Sequence, residues 1–390
     1  MIMLSQQQRI FFELLRFCIG TVQEVPSSLK GADWRVLYAM ARKQCLVGVL
    51  FDGIKRLPAD VGMDKGLLFQ WMAQNQTLRK ANARLDKAAV EVAEWFGRKG
   101  FRTCVLKGQG NALLYPPGME RTPGDIDLWV DGGDRKVVSF VRSLSPDEKV
   151  CYHHIGFPEY NGVEVEVHFR PSFLFCFRHN RRLQEYYERV MDGQFAHRVK
   201  LGEQGEVAVP KAEFNLIFQL THIFTHLMNE GIGLRQLLDY FFVLKNTDFI
   251  GNTDGDGFLL NTDFTDNTDR IGGNADGVDR RLLQDELRRL GLWEFAGAVM
   301  YIMKEVFGLE DNRLIVPPDV KRGRLVLKEV LEAGNFGQYD KRNWFGHSAL
   351  GHNLQRLYRD MRLVRYFPEE ALSEPFFRIW HFFWRKRIVR

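Results

Sequence analysis

The sequence lacks the patterns of a disulfide-stabilised protein and of a membrane-embedded one. Its five cysteines are scattered at positions 18, 45, 104, 151 and 176 of 390 residues, and no CxxC pair occurs. This spacing argues against a disulfide framework and a zinc ribbon and predicts a reducing, cytoplasmic compartment. No apolar run reaches the roughly 18–20 residues that a membrane helix needs. Arg9, Glu13 and Arg16 interrupt the first apolar stretch, which predicts an amphipathic helix rather than a signal peptide.

A strong excess of charge of one sign is also missing. The net charge is only +5, and 26% of the residues are charged while 45% are hydrophobic. These fractions are ordinary for a soluble globular protein. The mild basicity suits a polyanionic substrate such as a nucleotide, but it does not by itself indicate nucleic-acid binding.

The apolar periodicity predicts an α+β protein in which a small mixed β-sheet is flanked by helical regions. Residues 1–98 show helical spacing, including one stretch that runs from Trp34 to Ile54. Residues 99–210 form the α/β core, with strands predicted at "FRTCVLKG", "DIDLWV", "VEVEVHF" and "EVAVP". Residues 211–390 return to helical spacing.

One segment of the C-terminal region has low complexity. Asn-Thr-Asp recurs at 246, 252, 261 and 267 within residues 246–279. The segment has no EF-hand spacing closed by Glu and no nine-residue glycine repeat. A surface insertion is therefore favoured over a calcium site.

Two carboxylates interrupt the strand "DIDLWV". Because side chains alternate along a strand, Ile126, Leu128 and Val130 share one face, and Asp125 and Asp127 share the other. Two unpaired carboxylates so close together repel and are costly to bury. A divalent cation removes both penalties, and Mg²⁺ combines carboxylate ligands with substrate phosphates.

The strand "VEVEVHF" repeats the arrangement, with Glu164, Glu166 and His168 on one face. If this strand lies beside the first, Glu166 or Glu164 completes a three-carboxylate site. Such a site can hold two cations about 3.5–4 Å apart for a phosphoryl-type displacement. His168 can contact the substrate or serve as a hydrogen-bonded structural histidine.

A glycine-containing turn precedes these strands. In "VLKGQGNALLY", Gly108 and Gly110 follow a strand and open a helix, where backbone N–H groups can bind phosphates. Lys107 and Arg121 are nearby positive charges for a triphosphate. Lys107 can equally be a residue that merely flanks the strand.

These residues resemble a known family. "LKGQGNALLYPPGMERTPGDIDLWV" looks like the little-characterised bacterial nucleotidyltransferase family with Leu-Lys-Gly, Arg and Asp-Ile-Asp-Leu, within the polymerase-β-like superfamily. The similarity extends over roughly residues 100–245. The chain departs from the superfamily at Gln109, where Gly or Ser usually follows the first Gly, and in its longer spacing from Gly108 to Asp125.

The resemblance implies a Mg²⁺ site formed by Asp125, Asp127 and Glu166. It also implies transfer of a nucleoside monophosphate from an NTP to an acceptor hydroxyl with release of pyrophosphate. It does not identify the acceptor, for which a sugar or polysaccharide precursor, a protein, a small molecule and a tRNA are all candidates. The oligomeric state is likewise open.

Two other functions compete with catalysis. One is a catalytically degenerate protein that binds a nucleotide or a partner. The other is a peripheral adaptor that contacts the membrane surface through the aromatic and basic tail "PFFRIWHFFWRKRIVR". Phe377, Trp380, Trp384 and Ile388 form one helical stripe in that tail, which favours a final helix docked on the core.

Spacing also places His222 with His226, and Arg235 with Asp239, on shared helical faces. Structural roles are favoured for the two histidines.

Overall fold

A four-stranded mixed β-sheet lies between helices of the N-terminal and C-terminal parts of the chain, so the fold is α+β as predicted. The computed structural model describes residues 4–58, 61–250, 277–342 and 349–389. The first helices are α1 (Gln6–Cys18), α2 (Trp34–Lys43), α3 (Val47–Ile54) and α4 (Lys65–Arg98). The stretch from Trp34 to Ile54 forms two helices because Cys45, between them, adopts a left-handed backbone with φ of 56°.

The core region contains all four predicted strands. Its elements are β1 (Thr103–Leu106), α5 (Gly108–Ala112), β2 (Ile126–Val130), α6 (Gly133–Leu144), β3 (His154–Tyr160), β4 (Val163–His168), α7 (Phe177–Ala196), β5 (Arg198–Lys200) and β6 (Glu206–Ala208). The sheet order is β1-β2-β4-β3. β2 and β4 are parallel, and the other neighbours in this sheet are antiparallel. β5 and β6 form a separate antiparallel pair.

Helices dominate the chain again after residue 211. They are α8 (Ala212–Asn229), α9 (Leu234–Asn246), α10 (Arg280–Arg289), α11 (Trp293–Glu305), α12 (Val320–Ala333), α13 (Ala349–Leu363) and α14 (Pro368–Ile388). The short strands β7 (Phe249–Ile250) and β8 (Val278–Asp279) pair between α9 and α10. Most of the predicted insertion, residues 251–276, lies outside the described residues. The division into three regions stays a prediction, because one apolar cluster draws side chains from all three.

Both faces of the sheet are covered by apolar side chains. Ile126, Leu128 and Val130 belong to a cluster that also includes residues of α4 and α6. On the other face, Trp129 stacks against Phe214 of α8 with ring centroids 5.6 Å apart. At Trp129, the face that carries Asp127 is therefore covered by α8.

The last helix docks on the core, as its apolar stripe predicts. Phe377 is buried, and Trp384 and Ile388 pack against the apolar clusters. Within the described part of the chain, no helix is both long enough and apolar enough to cross a membrane.

Candidate active site

The register of the two parallel strands brings two predicted acidic residues together. Asp127 of β2 lies opposite Glu166 of β4, and Trp129 lies opposite His168. β-branched and apolar residues alternate with these polar ones, so the strands keep their hydrophobic faces in the core. Side-chain alternation and this register therefore place Asp127, Glu166 and His168 on one face of the sheet, with Glu166 and His168 two residues apart along β4.

Asp127 is the buried centre of this cluster, with 2% of its surface exposed. Its Oδ1 atom lies 2.8 Å from Nζ of Lys107 and 3.0 Å from Nε2 of His168. Burial would raise the pKa of Asp127, but Lys107 and His168 outweigh burial and hold that pKa well below its usual range. The Asp127 carboxyl group is therefore ionised at neutral pH.

Asp125 lies immediately before β2 and is half-buried. The negative charge of Asp127 and, secondarily, burial raise the pKa of Asp125 to about 6. Lys107 offsets only part of this effect. The two carboxylates thus retain the mutual repulsion that the sequence predicts, and a cation bound between them would relieve it.

Glu166 is the acidic residue of β4 that faces Asp127. Its side chain is 35% exposed, and its Oε2 atom lies 3.3 Å from Nδ1 of His154 and 3.4 Å from Nε2 of His168. Burial would raise the pKa of Glu166, but these two histidines outweigh it and lower that pKa. Glu164 is exposed and lies one pair beyond the β2–β4 register. Of the two residues left open by the sequence, Glu166 is the one beside Asp127.

Three histidines flank the carboxylates, and sequence reasoning singled out only His168. His154 lies opposite His168 across β3 and β4, and His153 Nε2 lies 3.1 Å from His154 Nδ1. Burial lowers the pKa of His154 to about 4. Burial would also lower the pKa of His168, but its hydrogen bonds to Asp127 and Glu166 raise that pKa to about 9. The site therefore has an imidazole-rich side.

Lys107 enters the site from the end of β1, next to Asp127 in the β1–β2 pairing. Its backbone is left-handed, with φ of 50°, a conformation that is uncommon for a residue with a side chain. Its Nζ donates a hydrogen bond to Nε2 of His222 at 3.1 Å in addition to its ion pair with Asp127. Burial opposes protonation of Lys107, but Asp127 and Asp125 outweigh burial and raise the lysine's pKa.

The two predicted glycines differ in their surroundings. Gly108 has φ of +37°, and a Cβ there would lie 3.6 Å from the carbonyl oxygen of Asp125. Gly110 instead allows close packing, because a Cβ there would lie 3.2 Å from Val209. The structure thus places Gly108 beside the acidic loop, whereas Gly110 lies against a core side chain.

Arg121 is bound within the protein. Its Nε and Nη2 atoms each donate to a different carboxylate oxygen of Asp239 at 2.8 Å, and Tyr115 donates to the same carboxylate at 2.6 Å. Asp239 therefore pairs with Arg121 and not with Arg235, its neighbour one helical turn away. This network fixes the segment that leads to Asp125 against α9. The predicted contact of Arg121 with a nucleotide stays a prediction.

Arg235 is a cation near the site whose hydrogen bonding is incomplete. It is 8% exposed, its Nη1 donates to the carbonyl of Thr122 at 3.1 Å, and its buried Nε has no hydrogen-bond partner within the described part of the chain. A Cβ on Gly124 would lie 3.5 Å from the same Nη1. Burial and, secondarily, the charge of Arg121 lower the pKa of Arg235. An anion beside Gly124 would relieve both effects.

The donor set fits a divalent cation. One ligand atom each from Asp127, Glu166 and His168 lies within 4.8 Å of the others. Asp125 is not part of this set, but its carboxyl group is close enough to interact electrostatically with Asp127 and Glu166. Carboxylates suit Mg²⁺ and Mn²⁺, and imidazole suits later first-row transition metals.

Comparison with known proteins places the chain in a family. Residues 30–259 match the family described as "Uncharacterised nucleotidyltransferase", and because this is more than half of the chain, the protein belongs to that family. The match includes the whole candidate site and ends well before α14.

The structure is also similar to that of an antigenic nucleotidyltransferase-like protein from Paracoccidioides brasiliensis. That similarity has a TM-score of 0.27 and 16% identity, over 41% of this chain and 74% of the other. No curated protein shows significant similarity to the chain.

Proposed function

We propose that the protein transfers a nucleoside monophosphate from an NTP to an acceptor hydroxyl in a reaction that depends on Mg²⁺ or a similar divalent cation. The observation that carries this proposal is the alignment of Asp127 and Glu166 on parallel strands, with Asp125 beside them. Membership of a nucleotidyltransferase family supports it.

In this reaction, the acceptor oxygen forms a bond to the α-phosphorus while the bond to pyrophosphate breaks. Asp125, Asp127 and Glu166 would hold the divalent cations. When bound, these cations would neutralise phosphate charge and promote ionisation of the attacking hydroxyl. The acceptor's proton passes to solvent water, and the electron pair of the broken bond leaves on the bridging oxygen of the released pyrophosphate.

The remaining side chains would bind the triphosphate and shape the cleft. Lys107 and Arg235 supply positive charge near Asp125, because Lys107 interacts with the Asp125 carboxyl and Arg235 lies beside Gly124. His222 of α8 holds Lys107 in place, and Arg235 belongs to α9. Because these helices wall the site, we propose that they also contact the acceptor, whether it is a sugar or polysaccharide precursor, a protein, a small molecule or a tRNA.

Pyrophosphate release from each of the four NTPs and transfer of label from α-labelled NTP to an acceptor in fractionated cell extract, measured side by side, test the proposal. We expect cation-dependent release and a labelled acceptor for the unmodified protein. Glu166→Gln should lose at least about 100-fold in rate, because the ligand charge is removed. Glu164→Gln is the matched control on the same strand face and should retain full activity.

The same assay separates catalysis from simple binding. Cation-dependent NTP binding without pyrophosphate or labelled product would show a nucleotide-binding protein instead of a transferase. Equal rates for Glu164→Gln and Glu166→Gln would contradict the assignment of the third carboxylate.

The outer face of α14 supports a second proposal, contact with an anionic membrane surface. Its large apolar side chains are 59–68% exposed, namely Leu372, Phe376, Ile379 and Phe383. Basic residues Arg385, Lys386 and Arg387 end the helix. Exposed apolar side chains next to clustered basic residues are typical of helices that lie at anionic bilayer surfaces.

Flotation with vesicles tests this second proposal. We expect the protein to float with vesicles containing phosphatidylserine and not with pure phosphatidylcholine. The double variant Phe376→Ser with Phe383→Ser should lose most of this binding. Phe69→Ser removes a similarly exposed aromatic ring, 63% exposed on α4, and should bind as the unmodified protein does. Equal binding to both vesicle types would contradict the proposal.

A further inference from the structure

His168 points directly at the two carboxylates of the candidate site. Its Nε2 atom lies 3.0 Å from Oδ1 of Asp127 and 3.4 Å from Oε2 of Glu166. The residue is completely buried, so water does not compete for this position. Strand alternation puts His168 two residues after Glu166 on the same face of β4.

The orientation of the ring suits a metal ligand. Nδ1 lies 3.3 Å from the carbonyl oxygen of Arg170, and because a carbonyl only accepts, Nδ1 carries a proton in this contact. Metal-binding histidines usually donate their second N–H to a carbonyl or carboxylate in this way. The contact with Arg170 therefore presents Nε2 towards the carboxylates and fixes the ring.

The spacing of the donor atoms also fits a shared cation. Two adjacent ligands of an octahedral ion at about 2.1 Å are separated by roughly 3.0 Å. The distances from His168 Nε2 to the oxygens of Asp127 and Glu166 are close to this separation. The three donor atoms lie within 4.8 Å of one another.

We propose that His168 binds one of the divalent cations through Nε2, together with Asp127 and Glu166. The mixed carboxylate and imidazole ligands then select a first-row transition-metal dication over Mg²⁺, because nitrogen ligands favour those ions. This inference rests on the proposed cation-dependent function and deepens it by naming the class of metal.

Pulsed EPR of the protein loaded with Mn²⁺ alone tests the proposal without relying on activity. We expect modulation from a directly coordinated ¹⁴N nucleus, which changes when the protein is made with ¹⁵N-labelled histidine. His168→Gln should still bind Mn²⁺ but lose this modulation. His154→Gln, the matched change opposite His168 in the sheet, should retain it.

Metal affinity gives a second readout. We expect titration calorimetry to show Mn²⁺ binding at least about tenfold tighter than Mg²⁺. His168→Gln should weaken Mn²⁺ binding by about 10–100-fold and Mg²⁺ binding by less. Circular dichroism of each variant checks that the fold survives, and the isotope experiment needs no variant at all.

The outcomes distinguish this inference from the function on which it rests. Mn²⁺ bound without coordinated nitrogen would overturn the role of His168 while leaving the transferase proposal intact. Loss of the nitrogen signal only in His154→Gln would also overturn it and assign the ligand to His154. Failure of the unmodified protein to bind Mn²⁺ or Mg²⁺, with or without NTP, would overturn both proposals.

Discussion

The ion pair between Arg121 and Asp239 should be a main stabilising contact of the segment that leads to Asp125 and Asp127, the proposed metal-binding carboxylates. Two parallel hydrogen bonds of 2.8 Å join the side chains, and each side chain is only 6% exposed. Removing one partner leaves the other as an uncompensated buried charge. This loss costs roughly 3–5 kcal/mol of unfolding free energy. We therefore expect Arg121→Met and Asp239→Leu each to destabilise the protein by about that amount.

The double variant Arg121→Met with Asp239→Leu should be more stable than the sum of the single effects predicts, because no charge remains unpaired. Tyr115 then loses its acceptor, so about 1–3 kcal/mol of the loss should persist. Urea unfolding followed by tryptophan fluorescence, with a double-mutant cycle, measures these differences.

Arg102 provides the control for this experiment. It pairs with Asp131 at 2.7 Å, but its side chain is 51% exposed. Arg102→Met should cost no more than about 1 kcal/mol, because exposed ion pairs contribute little. Single changes at Arg121 or Asp239 that cost as little as Arg102→Met would show that the buried ion pair contributes little to stability. So would single effects that simply add in the double variant.

Two further predictions concern helix packing. Burial and the neighbouring Glu374 raise the pKa of Asp360 to about 8, so the folded state holds this proton more tightly than the unfolded chain does. Ionisation therefore destabilises the fold as pH rises from about 4 to about 8, and Asp360→Asn should raise the melting temperature more at pH 8 than at pH 5. An equal effect at both pH values would contradict this. A Cβ on Gly48 would lie 2.3 Å from the carbonyl oxygen of Glu120, whereas one on Gly97 meets nothing within 4 Å. Gly48→Ala should lower the melting temperature by several degrees, whereas Gly97→Ala should stabilise the protein by about 0.5–1 kcal/mol. Similar effects of the two changes would count against the close approach of Gly48 to Glu120.

The acidic centre of the site could be predicted because it depends on local geometry. Side-chain alternation alone puts Asp125 and Asp127 on one face of their strand, and Glu166 and His168 on one face of theirs. Only the parallel register of β2 and β4 shows that Glu166, and not Glu164, faces Asp127. That register depends on strand order, which the pattern of a single strand does not contain.

The other side chains of the site meet through contacts between distant parts of the chain. Lys107 contacts His222 across 115 positions, and Arg121 binds Asp239 across 118. The spacing of Arg235 and Asp239 suggests a helical pair, but burial of Arg121 beside Asp239 favours the longer-range pair. Such choices depend on how α8 and α9 pack, so they could not be derived from sequence spacing.

One part of the fold had a local signal that the strand prediction did not use. Asn161 and Gly162 both have positive φ and join β3 to β4, with Tyr160 opposite Val163. Asn-Gly between two strands is a strong signal for a two-residue hairpin turn. Pro158 weakens the sequence signal for β3, because a proline argues against a central strand. It is tolerated because β3 is at the edge of the sheet.

Binding of a non-hydrolysable NTP, measured by titration calorimetry with and without Mg²⁺ or Mn²⁺, is the decisive test of the proposed cation site. We expect cation-dependent binding to the unmodified protein. Asp127→Asn and Glu166→Gln should lose at least about tenfold in affinity, because both remove a ligand charge, while Glu164→Gln binds normally. Unchanged, cation-independent affinity in folded Asp127→Asn and Glu166→Gln would show that these carboxylates do not hold a cation that binds the nucleotide.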